Sequence, residues 1–389
     1  MAEIVEIPKE WEVVMLGDRI SLEYGKGLTE AQRKNGRYPV FGSNGIVGYH
    51  SDFLAEGPGI VVGRKGTIGA ISWSEGNYWP IDTTYFVEVG GNDVDLKWLY
   101  YKLTSLTLSK LNMATGTPGL NRDLVYTQVT PFPPLPEQKK IAEILSTIDQ
   151  AIEKVSEAIE KTRRLKKGLM QELLTKGIGH KEFKDTEIGG IPKAWKIMKL
   201  GEIGELERGK FAFRPRNDPK FYGGEFPFIQ TGDISEANGM IKKYYQTLNE
   251  YGFKISKLFK KGTIVISIAG NIGDVGILDF DSCFPDSIVG IRGDSEKANN
   301  LFLMYLLQKF KRELDSIAPR STQKNINLGI LEAFKLPLPP LSEQEKIAEI
   351  LSSADERLEL LRKRKERLER TKKGLMNDLL TGRKRVKLN

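Results

Sequence analysis

Apolar residues at Ile141, Ile144, Ile148, Ile152, Val155 and Ile159, then Leu165 and Leu169, keep the three-and-four spacing of one helical face. The spacing predicts one long helix from Pro134 to about Lys176. The same phrase returns 206 positions later, from Pro340 to Gly382, with 23 of 43 positions identical and no gap. Its stripe is Ile347, Ile350, Leu358, Leu361, Leu368 and Leu375. Both openings carry start signals: Pro136 suits a first turn, and Ser342 with Glu345 fits a capping box. Proline clusters precede them, Pro131, Pro133 and Pro134 in one copy and Pro337, Pro339 and Pro340 in the other. Such clusters continue neither helix nor central strand, so each marks a stiff connector from the region before it.

About 38 helical residues at about 1.5 Å each span roughly 57 Å, more than the width of a small domain. A single stripe that long needs a partner, and the other copy supplies one of equal length, so the two are expected to pair as a coiled coil. The second globular region follows the first helix closely, and the second helix can pair along the first only by running back, which predicts an antiparallel pair. The expected seam is Ile141, Ile148, Ile152 and Val155 against Ile347, Leu358, Leu361 and Leu368. The simpler alternative is two amphipathic helices, each packed on its own domain.

Alternating and β-branched patterns fill the segments before each helix, and these too are repeated. Ile7, Pro8, Lys9, Trp11, Leu16 and Gly17 match Ile191, Pro192, Lys193, Trp195, Leu200 and Gly201 at an offset of 184, so the second region carries 22 extra residues. The glycine-punctuated runs GIVVGRKGTIGAISW and GTIVISIAGNIGDVGIL read as paired strands, with Gly66 and Gly69 falling on Gly270 and Gly273. Asn121 falls on Asn327. Helical stretches near 96–111 and 300–314 lie between them. The expected fold is α+β: two mixed α/β domains joined by two long helices in a pseudo-two-fold internal repeat. The boundaries are 1–133 for the first domain, 134–178 for the first helix, 179–339 for the second domain with its linker, and 340–389 for the second helix and a basic tail.

At 389 residues, 40% hydrophobic and 28% charged, the chain has the composition of an ordinary globular protein with room for two or three cores. No apolar run approaches 18 residues and no secretory signal opens it, so a cytoplasmic protein without a membrane span is expected. One cysteine, Cys283, excludes an internal disulfide, and with only His50 and His180 a Cys/His zinc site cannot be assembled. The net charge of +8 favours a polyanionic partner, although the KRKERLERTKK run of the second helix also reads as a solvated face.

Catalytic devices are wanting. GELERGKF at 204–211 has the spacing of a phosphate loop but places Phe211 where magnesium needs a hydroxyl. Gly57, Gly59 and Gly63 miss the dinucleotide spacing by one residue. Phe132, Pro133, Pro134 and Leu135 lack the polar first residue of an adenine-methyltransferase tetrapeptide. No catalytic or metal-ligating residue is therefore assigned. What remains is a set of donors on loops: Lys26, Arg64, Lys65, Thr67, Asn121 and Arg122 in the first domain, and Lys210, Arg214, Asn271, Arg320, Ser321, Thr322, Gln323, Lys324 and Asn325 in the second. Arg and Lys read guanine edges, Asn and Gln read adenine, and both classes hold phosphates. Taken as a set on two repeated domains, they predict two readers of one DNA duplex.

The duplicated PPLPEQKKIAEIL and PPLSEQEKIAEIL openings, the KKGLM and LLT near each helix end, the IPKxW domain openings and the GTPGLN and STQKNIN loops resemble the specificity subunit of type I restriction-modification systems. The resemblance covers nearly the whole chain. It implies two target-recognition domains, each reading one half of a bipartite DNA site, and two conserved spacer helices that dock methyltransferase subunits, two of them. It also implies that S-adenosylmethionine, ATP and magnesium belong to partner subunits, with ATP-driven translocation and cleavage carried by the restriction/translocase subunits and none of the three bound by this chain. The alternative is a coiled-coil scaffold that assembles partners without reading DNA.

Overall fold

The computed structural model describes residues 7–111, 119–211, 213, 217–237, 239–318 and 324–388. The chain divides into two compact units, Met1–Ala158 with Leu361–Asn389, and Ile159–Leu360.

In the first unit the strands Ile20–Tyr24, Thr84–Val89, Gly59–Gly63 and Ile71–Ser74 form an antiparallel sheet in that order. Every residue of Gly59–Gly63 is buried, as an apolar central strand covered on both faces requires. Ile60 and Val62 face the main core with Leu22, Tyr85 and Val87, whereas Val61 faces a smaller cluster with Phe41, Ala55 and Tyr78. That second face is built by Gly45–His50, Tyr38–Gly42 and Trp79–Pro80. The helix Leu96–Ser105 starts at Asp95, whose carboxylate accepts from the Trp98 amide at 2.8 Å. It adds Trp98, Leu99, Tyr101 and Leu103 to the main core.

The second unit repeats this plan. Gly204–Arg208, Ile288–Gly293, Ile264–Ser267, Val275–Leu278 and Met240–Ile241 form one sheet, and Gln246–Leu248, Tyr222–Phe228, Ser282–Cys283 and Leu258–Phe259 another. Val62 pairs with Tyr85 and Ile266 with Val289, so the offset between copies has risen from 184 to 204 by this strand. Twenty of the 22 extra residues therefore precede Ile264, in the stretch that holds the helices Thr231–Ala237 and Glu250–Lys254. The aligned glycines do the same job in both copies. Gly66 and Gly270 have φ of 76° and 73°, Gly69 and Gly273 of 69° and 81°, values that only glycine adopts freely.

The long helices are Leu135–Lys176 and Leu341–Leu379. In the first unit Asp149 pairs with Lys372 at 2.6 Å and Glu137 with Arg385 at 2.7 Å, so the two helical segments run antiparallel. In the second unit Lys166 pairs with Asp355 at 2.5 Å, and the Ile178 amide beyond the first helix donates to Glu343 at 2.9 Å, again antiparallel.

The inward positions follow a strict four-three alternation: Ile141, Leu145, Ile148, Ile152, Val155, Ile159, Thr162, Lys166, Leu169 and Leu173 in one helix, and Ile347, Leu351, Ala354, Leu358, Leu361, Lys365, Leu368, Lys372, Leu375 and Leu379 in the other. This 3.5-residue period is that of a left-handed coiled coil. The expected stripe needs correction at two places, for Leu165 is 58% and Ile350 38% exposed. Thr162 and Lys166 take the inward positions near Leu165 instead, at 6% and 9%. Ile141 and Ile347 are fully buried, but in the cores of the globular domains, together with Leu145 and Leu351. The openings of both helices thus pack on their own domain, as the simpler alternative expected, while later segments carry the interhelical ion pairs.

The repeated EQ dipeptide now has a physical role. Glu137 and Glu343 accept the indole N–H of Trp11 and Trp195, at 3.0 and 3.2 Å. Gln138 donates to the Pro133 and Asp93 carbonyls and accepts from the Asp95 amide. Gln344 does the same with Pro339, Lys297 and the Asn299 amide. Asp95 and Asn299 are the caps of corresponding helices, so each glutamine ties a domain helix to the start of its spacer. A second fastening is duplicated too: Tyr101 donates to Asp149 beside Lys372, and Tyr305 to Asp355 beside Lys166.

Candidate nucleic-acid interface

In the first unit four loops meet where the central sheet ends. The Thr83 carbonyl accepts the amides of Arg64 and Lys65 at 2.9 and 3.1 Å and the Ser43 hydroxyl at 3.0 Å. The Leu120 amide donates to the Arg64 carbonyl, and Lys65 bridges to Gly119. Lys26 joins from the end of the first sheet strand, its amide on the Pro80 carbonyl at 3.0 Å and its own carbonyl accepting the Trp79 indole. A Cβ at Gly63 would lie 2.2 Å from the Thr67 carbonyl oxygen, so glycine is what lets this loop fold onto itself.

The structure therefore brings Lys26, Arg64, Lys65, Thr67, Asn121 and Arg122 to one set of loops. Their side chains differ in what they are free to do. Asn121 spends its side-chain oxygen capping the short helix Arg122–Tyr126, accepting from the Asp123 amide at 2.8 Å. Its match Asn327 caps Leu328–Glu332 in the same manner. Lys26, Lys65 and Thr67 are exposed. The guanidinium carbons of Arg64 and Arg122 lie 5.0 and 5.2 Å from the centre of the Tyr24 ring. Neither arginine has a carboxylate partner among the described residues. Arg64 also lies 5.9 Å from the ring of Tyr85. Burial and the Tyr24 hydroxyl push the Tyr85 phenol up to about 12, against the pull of the two guanidiniums.

In the second unit the corresponding loops are assembled by corresponding bonds. The Lys210 amide donates to the Phe284 carbonyl at 3.0 Å, Ile268 to Ser287 at 2.9 Å and Ile326 to Ile268 at 3.0 Å. Lys210 is exposed. Asn271 donates to the Ser235 hydroxyl at 3.1 Å, and Lys324 is paired with Asp315 at 2.8 Å. The side-chain oxygen of Asn325 is buried without a hydrogen-bond partner among the described residues. Arg214, Arg320, Ser321, Thr322 and Gln323 lie outside the described residues.

Sequence reasoning missed Tyr24, whose exposed ring at the end of an alternating strand is an ordinary strand signal. It also missed a polar concavity of about 310 Å³ in the second unit, lined by Asn217, Tyr222, Gln230 and Gln246. Gln230 there donates to Gln246 at 2.5 Å. Gln246 joins the other three through the pairing of Tyr222–Phe228 with Gln246–Leu248. Among the described residues no three metal-ligating side chains gather, and no helix is long and apolar enough to cross a membrane.

The family profile described as type I restriction modification DNA specificity domain matches residues 8–161 and 192–370. The chain is 33% identical over 414 residues to the type I restriction enzyme MjaVIII specificity subunit of Methanocaldococcus jannaschii, covering 98% of this chain and 95% of that one. It is 22% identical over 369 residues to the type I restriction enzyme EcoDI specificity subunit of Escherichia coli, covering 88% and 80%. In fold it is similar to the crystal structure of a type I restriction-modification S subunit from M. genitalium, with a TM-score of 0.70, 18% identity and 98% of each chain covered.

Proposed function

Because this chain belongs to the type I restriction-modification DNA specificity family, we propose that it supplies sequence choice to its complex through the two loop sets described above, one per recognition domain. The observations behind this reading are the two exposed lysines, Lys26 and Lys210, held alike on corresponding strand-end loops, and in the first domain Arg64 and Arg122, which lack a carboxylate partner among the described residues. Each domain reads one half of a bipartite site. The subunit performs no chemistry itself and works in the cytoplasm. S-adenosylmethionine, ATP and magnesium are held by methyltransferase and restriction/translocase partners.

The duplicated spacers favour two equivalent docking sites and hence two methyltransferase subunits. A scaffold that ignores DNA would leave the duplicated lysines Lys26 and Lys210 without a purpose. Binding to target and random duplexes, with and without the methyltransferase at fixed salt, tests the proposal. Specific binding is expected to be weak for the lone chain, whose charge of +8 is spread over both domains and helices, and strong with the partner's added phosphate contacts. Equal affinity of the complex for target and random DNA would refute it.

A further inference from the structure

The two recognition domains are copies, so their loop cations divide into those present in both and those present in one. Lys26 and Lys210 belong to the first kind. Each is exposed, each follows the first strand of its sheet, and each amide is held by a carbonyl, Pro80 in one copy and Phe284 in the other, at 3.0 Å. Arg64 and Arg122 belong to the second kind. The Arg64 carbonyl accepts from Leu120 as the Ile268 carbonyl accepts from Ile326, and the Arg64 amide donates to Thr83 as that of Ile268 does to Ser287. Ile268 thus stands where Arg64 stands. Arg122 follows the cap Asn121, and Leu328 follows the cap Asn327. Tyr24 pairs with Tyr85 across the sheet, and Arg208 with Val289 at the corresponding place. Among the described residues, Ile268, Leu328 and Arg208 stand where Arg64, Arg122 and Tyr24 stand, so the stacked arginine pair is not repeated there.

Phosphate contacts set register and carry no sequence information, so two readers of one duplex keep them in common. Base contacts differ between readers of different half-sites. An arginine laid on an aromatic ring keeps its planar fork in a fixed orientation, and that fork matches the O6 and N7 acceptors of guanine. Resting on the DNA-reading role proposed above, we infer that Lys26 and Lys210 hold phosphates while Arg64 and Arg122, held on Tyr24, read guanine in the half-site of the first domain.

The test uses the chain with its methyltransferase partner and a target site established from the methylome of cells carrying the wild-type complex. The first-domain half is the one that changes when residues 1–133 are exchanged. Guanines in that half are replaced one at a time by 7-deazaguanine, which lacks the N7 acceptor. The wild-type complex should lose roughly 10- to 100-fold in affinity at one or two positions. Arg64→Ala and Arg122→Ala should each become indifferent to the replacement at one position. Arg64→Lys, which keeps the charge and loses the fork, should retain affinity for random DNA yet lose that discrimination. Lys26→Ala and Lys210→Ala should weaken target and random DNA alike and lower the salt slope by about one each. The inference is overturned if the first-domain half tolerates 7-deazaguanine throughout, or if the arginine variants weaken all sequences equally. A wild-type complex that binds no duplex specifically would instead overturn the DNA-reading role.

Discussion

Arg385, in the basic tail beyond the second long helix, is expected to stabilise the first unit more than any neighbour in that tail. Glu137 is fully buried, and its two oxygens accept from Arg385 Nε and Nη2 at 2.7 and 2.8 Å and from Trp11 Nε1 at 3.0 Å. Arg385 also reaches Glu10 at 2.7 Å, and these carboxylates raise its already high pKa further. Arg385→Ala would leave a buried carboxylate with one neutral donor. Removing one member of a buried pair costs about 3–5 kcal/mol. The arginine side chain is 39% exposed, so water entering the vacated space lowers this to roughly 2–3 kcal/mol. Lys387→Ala, which removes an exposed side chain with no ion-pair partner among the described residues, should fall within about 0.5 kcal/mol of wild type. Adding Glu137→Gln to Arg385→Ala removes the stranded charge while keeping an acceptor for Trp11, and should recover at least half of the loss. Urea unfolding of the full chain, followed by tryptophan fluorescence, measures all four proteins. Equal stability of Arg385→Ala and Lys387→Ala, or no recovery in the double variant, would refute the reasoning.

Lys102 donates to the Leu380 carbonyl at 2.7 Å and is 3% exposed, and burial lowers its pKa from 10.5 to about 8. The unfolded chain therefore binds the extra proton between those values, so stability should rise with pH from about 8 to about 10.5, by about 3 kcal/mol in all. Lys102→Met should flatten that rise in unfolding midpoints taken across pH 7.5 to 10, and an unchanged profile would contradict it. Asp355→Leu should destabilise the second unit by about 2 kcal/mol by stranding Lys166 and the Tyr305 hydroxyl, whereas Asp355→Leu with Lys166→Leu should cost less than the single change; strictly additive losses in denaturant titrations would exclude coupling. Leu358→Asp places a charge at a position 5% exposed, and should melt the helix pair and abolish methyltransferase docking in co-purification; a normal complex would contradict that.

The helices, the internal repeat and the antiparallel sense were legible because they rest on periodicity and chain connection. The seam was only partly so. Lys166 and Lys372 occupy inward positions because Asp355 and Asp149, 189 and 223 residues away in sequence, supply their counter-charges, and a template that counts only apolar residues passes over them for Leu165. The EQ dipeptides were visible as repeats, but their bonds to Trp11, Trp195 and the helix caps Asp95 and Asn299 appear only when the chain folds. In the loops, the sequence named segments that the fold of the first domain brings together, but not which donors stay free. Asn121 is consumed as a cap and Lys324 by Asp315, while Tyr24, an ordinary strand residue by pattern, orients two arginines.

The central claim is that each domain reads its own half-site, and exchange of residues 1–133 for the matching segment of a family relative tests it most directly. Methylome sequencing of cells carrying the hybrid with its partners should show one half of the bipartite site replaced and the other half unchanged. A hybrid that altered both halves, or neither, would contradict the account.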